Sequence, residues 1–172
     1  MVDFTRAQAD GVMPVKRAPG NLAQQLGKVV EETQVRHPTR ILRLESAGDF
    51  EGSWDEGRMG QLLSNLLGNA LLYGSAWTEV TVRMWSSPAD VCFSVHNFGE
   101  PIPADDRERI FHPLERGPQH AARIAAREPT GLGLGLYICR EIVLSHGGEL
   151  SLASTQEAGT TFSVRLPRHP AA

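Results

Sequence analysis

TGLGLGLYICREIVLS spans Thr130–Ser145. Gly131, Gly133 and Gly135 alternate with Leu132, Leu134 and Leu136; Ile138, Cys139, Ile142 and Val143 then take up helical spacing. A glycine-rich turn running into a helix is a phosphate cradle. Glycines let backbone N–H groups approach an anion closely, and the helix start adds unpaired donors and a partial positive charge. The same pattern also suits a helix packed closely on its neighbour through glycines. The rest of the chain separates these two readings.

At 172 residues the chain has the size of one domain. Its apolar share of 41% is enough for a core, and a net charge of −3 argues against nucleic-acid binding by bulk electrostatics. No apolar run approaches the roughly 18 residues of a membrane span, and the N-terminus lacks a signal-peptide pattern. We therefore expect no nucleic-acid partner, no direct membrane contact and a cytoplasmic location, whether the parent is soluble or membrane-anchored. Cys92 and Cys139 sit far apart in apolar surroundings and read as buried free thiols.

Working back along the chain, residues 1–20 carry Gly11, Pro14, Pro19 and Gly20 and read as a linker. Asn21 is a helix cap. Leu22, Leu26, Val29, Val30 and Thr33 follow at helical spacing until His37-Pro38. Ile41–Leu44 and Phe50–Trp54 suggest strands with Gly48-Asp49 as the turn between them. Asp55 caps a second helix to Tyr73, with Met59, Leu62, Leu63, Leu66, Leu67 and Ala70 as its apolar stripe. Residues 77–85 and 91–95 alternate as strands, and a short helix is expected at about 104–111. Residues 112–130 form a long loop, and Leu150–Ala153 and Thr161–Leu166 form a hairpin around Gly159. Helices and strands mix without regular alternation. The expected fold is α+β: a two-layer sandwich, a mostly antiparallel sheet with helices on one face.

Gln61, Asn65, Asn69 and Tyr73 recur every four residues and share one helical face beside the apolar stripe. An amide oxygen suits Mg²⁺, which takes hard oxygen ligands and keeps several waters. Such a row can also be plain solvated surface, but asparagine is a mediocre helix former and two among leucines ask for a reason. After the 91–95 strand comes HNFGEPI (96–102). Asn97 at a strand end, beside Gly99, could read a base edge, accepting from an exocyclic amine. Alone, that stretch reads equally as a turn.

Taken in order, NLLGNALLYG (65–74), NFGEPI (97–102), IFHPLERG (110–117), GLGLGL (131–136) and GTTFSVRLP (159–167) resemble the ATP-binding catalytic domain of sensor histidine kinases. The motifs match that family's N box, first glycine box, F box, second glycine box and last glycine/threonine element. The family belongs to the GHKL ATPases, whose Bergerat fold is an α/β sandwich. The resemblance implies ATP and Mg²⁺ as ligands and covers residues 21–167, leaving 1–20 as the exit of a dimerisation helix and 168–172 as a tail. Asn69 resembles the Mg²⁺ ligand and Asn65 its partner near the phosphates. Tyr73 lines the sugar-phosphate side. Asn97, Gly99 and Ile102 belong to the adenine-side box, and Thr160 lies close to the adenine. Phe111 and Leu114 resemble the F-box anchors. Residues 112–130 resemble the ATP lid, and Gly131, Leu132, Gly133, Leu134, Gly135 and Leu136 wrap the triphosphate.

Three residues depart from that pattern. Asn97 stands where the family usually has aspartate, a change expected to cost roughly 1–2 kcal/mol of adenine affinity; asparagine there resembles a phytochrome-like, soluble subset. Pro101 replaces the box's second glycine. Leu72 stands where Lys or Arg is common, and Arg116, or His120, Arg123 or Arg127, is expected to supply the phosphate contact.

The family moves the γ-phosphoryl group to a histidine that is followed by an acidic residue on a helix. None of the six histidines fits: His37 and His112 precede proline, His96 ends a strand, His120 is in the lid, His146 precedes Gly147-Gly148 and His169 is in the tail. The implied partners are a separate dimerisation domain carrying that histidine and a response-regulator receiver domain. Two other readings remain: a degenerate nucleotide-binding module, and a GHKL ATPase using water. The latter wants a glutamate base one turn before Asn69, where Asn65 stands.

Overall fold

The computed structural model describes residues 13–112 and 135–169. Its elements run β1 (Ala18–Asn21), α1 (Leu22–Arg36), β2 (Leu42–Ser46), β3 (Glu51–Trp54), α2 (Glu56–Tyr73), β4 (Val80–Ser86), β5 (Asp90–Asn97), two short 3₁₀ turns (Ala104–Asp106 and Arg109–Phe111), α3 (Gly135–Ser145), β6 (Glu149–Thr155) and β7 (Gly159–Pro167). A five-stranded sheet has the order β2-β4-β5-β7-β6. Every pairing in it is antiparallel except β2 with β4. The α+β sandwich expected from the sequence is the observed fold.

The core lies between this sheet and the helices. Val82 and Met84 of β4, Phe93 and Val95 of β5, and Phe162 and Val164 of β7 meet the α2 stripe Met59, Leu62, Leu63, Leu66, Leu67 and Ala70, all buried. Each large apolar side chain so placed contributes about 1.5–3 kcal/mol on burial. On the other face of the sheet Arg83, Trp85 and Arg165 are exposed.

The helix ends follow from local chemistry. Asn21 Oδ1 accepts from Gln24 N at 3.1 Å and starts α1. His37 stops it, because a residue before proline is pushed out of the helical region. Asp55 Oδ1 accepts from Arg58 N at 3.1 Å and starts α2. At the far end of α2 the Arg40 guanidinium donates to Leu71 O at 3.0 Å and Ser75 O at 3.1 Å, placing positive charge where the last helical carbonyls are unpaired.

Several local expectations need correction. The chain before Asn21 is not all linker: Met13 is buried in the core, and Ala18–Asn21 pairs with β3 in a separate two-stranded sheet. The indole of Trp54 fastens this small sheet, donating from Nε1 to Gly20 O at 3.1 Å. Gly48-Asp49 does not close a hairpin, since β2 and β3 lie in different sheets. The strand expected from Trp77 starts at Val80, and Trp77 is 95% exposed. The expected helix at 104–111 is two 3₁₀ turns. Cys139 is buried, with its thiol pushed up to about 12 by burial, whereas Cys92 is only half-buried. Arg168, placed in the tail, is buried: it donates from Nε and Nη2 to Ser87 O and from Nη1 to Glu51 O, tying β3 to the β4–β5 turn.

His146, at the end of α3, is fully buried. Its Nδ1 lies 2.9 Å from Ile142 O and must donate there, so Nε2 accepts from Asp55 N at 3.1 Å. A neutral ring thus satisfies the start of α2. Burial chiefly, with nearby Arg17, holds the imidazole below its ordinary value of 6.5, against the opposing pull of Ile142 O and Asp55. Below pH 6.5 the unfolded chain then binds more protons than the folded one, so stability is full above that pH and declines as pH falls. Melting temperatures measured between pH 7.5 and 5.5 should fall more for the native chain than for His146→Gln. Equal slopes would remove His146 from the acid response.

Candidate nucleotide-binding cleft

A cleft of about 930 Å³ opens at one end of the sheet. The C-terminal half of α2 forms one wall with Asn69, Leu72 and Tyr73, and the segment Gly99–Pro103 forms the opposite one. Asn97 and Thr160 line it from neighbouring strands, where they are directly paired. Ile110 and Leu136 add apolar surface. The volume lies within the roughly 300–1,000 Å³ typical of small-molecule sites.

Seven of the residues singled out from the sequence share this lining: Asn69, Tyr73, Asn97, Gly99, Ile102, Leu136 and Thr160. They meet because α2 and β5 end side by side. Gly74 and Gly99 form an isolated antiparallel bridge, and Ser75 N donates to Phe98 O at 2.7 Å. Gly99 holds φ +151°, and a Cβ there would stand 2.8 Å from Tyr73 O. Only glycine permits both that conformation and that approach.

Asn65, one turn before Asn69, stands outside the lining. Its Nδ2 donates to Gly135 O at 3.3 Å, joining α2 to the first residue of α3. Gly135 itself opens α3 rather than lying in the preceding turn. Arg116, Gly131, Leu132, Gly133 and Leu134 lie outside the described residues, as do Leu114, His120, Arg123 and Arg127. Phe111 is buried, packing edge-on to Phe162 at 6.1 Å between centroids. Pro101 and Leu72, two of the departures, both face the cleft.

Other parts of the site escape sequence reading. Ser75, Glu100, Asp106 and Gln156 line the cleft. Arg107 donates from Nη2 to Ser154 O at 2.6 Å and from Nε to Ile102 O at 3.4 Å, stapling the 99–107 wall to β6. Ser154 Oγ accepts from Ile102 N at 2.8 Å and lies 2.7 Å from Thr160 Oγ1. Counting back from the Gly159 turn would have set Ser154 opposite Thr160; nothing local marks Arg107. Glu108, beyond this wall, pairs with Arg140 of α3 at 3.2 Å, and hydrogen bonds from His112 and Arg140 hold its carboxyl below its ordinary value.

Among the described residues the charged lining is acidic, Glu100 and Asp106, with no lysine or arginine. Nor do three His, Cys, Asp or Glu side chains converge there to hold a metal ion. Among the described residues the half-buried Asn69 amide is a hard oxygen donor of the kind Mg²⁺ accepts.

Comparison with known structures defines the class. The catalytic domain of histidine kinase ThkA is 26% identical to this chain, covers 91% of it over its own whole length, and superposes with a TM-score of 0.74. Full-length ShkA in complex with AMPPNP is 25% identical, with a TM-score of 0.73; the match covers 94% of this chain and 33% of ShkA. The chain belongs to the histidine kinase-, DNA gyrase B- and HSP90-like ATPases, whose sequence profile matches residues 54–170. A bacteriophytochrome of Pseudomonas aeruginosa is 27% identical over 97% of this chain and 22% of its own length. The chain spans less than half the length of the first curated relatives it matches. Among the described residues no helix is long and apolar enough to cross a membrane.

Proposed function

We propose that this chain lies in the cytoplasm, binds Mg-ATP and transfers the γ-phosphoryl group to a histidine on a separate dimerisation domain of the same sensor kinase, whether that parent is soluble or membrane-anchored. A response-regulator receiver domain would then take the phosphoryl group. The observation that carries this reading is the meeting of Asn69, Asn97 and Thr160 in one nucleotide-sized cleft in a fold shared with histidine kinase catalytic domains. The AMPPNP complex of ShkA supports ATP as the ligand.

Within the cleft, Asn97, Gly99, Ile102 and Thr160 take the adenine, Tyr73 the sugar side, and Asn69 the magnesium. Asn65 holds the start of α3; the triphosphate contacts are assigned to Gly131–Leu136 and Arg116. Bound Mg²⁺ supplies countercharge to the phosphates. Phosphoryl transfer needs position and charge neutralisation more than covalent help from the protein, so these residues need only hold the nucleotide still and exclude water.

Incubation of the chain alone with labelled ATP should leave no acid-labile phosphate on it. Addition of the parent's dimerisation hairpin should produce phosphohistidine on the hairpin. Labelling of the isolated chain would overturn the assignment of a separate acceptor. Asn97, Pro101 and Leu72 on the cleft wall favour one second reading, a nucleotide-binding module without kinase activity. Mg-ATP binding without any hairpin labelling would establish it.

A further inference from the structure

Asn97, Thr160 and Ser154 form a row across β5, β7 and β6, each paired directly with the next. All three are buried, at 4%, 4% and 2% exposure, and Asn97 and Thr160 line the cleft. Their hydrogen bonds allow a proton count. Phe98 O is an acceptor only, so the Asn97 atom 3.2 Å from it is the nitrogen, and that carbonyl holds both Ser75 N and Asn97 Nδ2. The Asn97 amide is therefore anchored with its oxygen left for the cleft.

The hydroxyl pair is settled by burial. Ser154 Oγ already accepts from Ile102 N at 2.8 Å. Thr160 Oγ1, at 2.7 Å, is the other hydrogen-bond partner of Ser154 Oγ among the described residues. Were Thr160 the donor of this pair, the Ser154 proton would be buried with no acceptor, which costs about 1–3 kcal/mol. With Ser154 donating, the Thr160 proton points where the cleft can offer an acceptor. We infer that Ser154 is a positioning residue that makes Thr160 a hydrogen-bond donor, so that Thr160 and the anchored Asn97 oxygen present a donor–acceptor pair selective for 6-aminopurines.

This inference rests on the adenine-side assignment above. An adenine edge offers an amino donor beside the N1 acceptor and matches that pair. A 6-oxopurine offers O6 as acceptor beside an N1–H donor and opposes it at both points. Asn97 thus acts as acceptor in place of a carboxylate, with its direction set by Phe98 O rather than by charge. Ser154 lies outside the cleft lining and acts through Thr160 and, by holding Ile102 N, through the 99–103 wall.

The test is calorimetric titration of the full chain and of Ser154→Ala with Mg-ATP, Mg-GTP and Mg-1-deaza-ATP, which lacks N1. The native chain should prefer ATP to GTP at least about tenfold and bind 1-deaza-ATP about five- to tenfold more weakly than ATP. Ser154→Ala should weaken ATP about five- to tenfold more than 1-deaza-ATP, because losing the Ile102 anchor falls on both ligands whereas the Thr160–N1 contact is absent from 1-deaza-ATP. Ser154→Thr, which keeps the hydroxyl, should restore ATP binding. Equal loss for ATP and 1-deaza-ATP in Ser154→Ala would show a merely structural role and overturn the inference. Should Ser154→Ala fail to fold, the native chain decides: equal affinity for ATP and 1-deaza-ATP, or for ATP and GTP, overturns it. Binding of none of the three nucleotides overturns the nucleotide-site assignment itself, a result distinct from unselective binding.

Discussion

Replacing Asn69 by alanine should weaken Mg-ADP binding at least about 100-fold and abolish its magnesium dependence, a loss of about 2.8 kcal/mol. The size follows from what else the cleft offers. Its described lining holds no lysine or arginine to meet the phosphates. Bound magnesium would supply the countercharge, and Asn69 is the described amide on the α2 wall of the cleft that would hold it. The helix itself should survive, since alanine is the best helix former and Asn69 is only half-buried. Titrations with magnesium and with a chelator, on native and Asn69→Ala protein, read the effect directly. Affinity within about threefold of native in magnesium would remove Asn69 from the metal role. A like loss of stability in both conditions would mark it as structural.

Gly99→Ala should cost about 3 kcal/mol of stability and lower the melting temperature by about 6–12 °C in a domain of this size. Two terms add. The residue sits at φ +151°, where an L side chain is strained, and the new Cβ would stand 2.8 Å from Tyr73 O and 3.3 Å from Gly74 Cα. Backbone atoms cannot swing aside as a side-chain tip can, so the bridge between the end of α2 and the 99–103 wall must open. Nucleotide affinity should fall along with stability, because Asn97 and Ile102 flank the displaced residue. A melting temperature within about 2 °C of native would show that the bridge yields without strain, and would separate Gly99 from the shape of the cleft.

The comparison of α2 with its surroundings shows why some of this was readable in advance. Its apolar stripe, its Asp55 cap and its amide row follow from spacing within a single helix, and all three stand where the spacing places them. The alternation of β5 and β7, and the hairpin around Gly159, are local in the same way. Gly99 was legible because a backbone that must bend or be approached closely admits few residue types.

Contacts between distant segments were not legible. Arg40 caps α2 from 31 and 35 residues away, Arg168 reaches Glu51 O across 117, and His146 completes the start of α2 across 91. Each is a polar side chain that looks like ordinary surface in sequence. For Arg168 and His146 burial makes the hydrogen bonds obligatory, because a polar group without partners in the core costs more than the bond returns in water.

Periodicity and glycine placement thus carry the elements, their caps and the family likeness, since these depend on neighbours within a few residues. The pairing of β2 beside β4, the core place of Met13 and the Asn97–Thr160–Ser154 row arise only when the sheet assembles. Strand order and register set which hydroxyl and which amide oxygen face the same cavity, and no spacing rule along one chain encodes that choice.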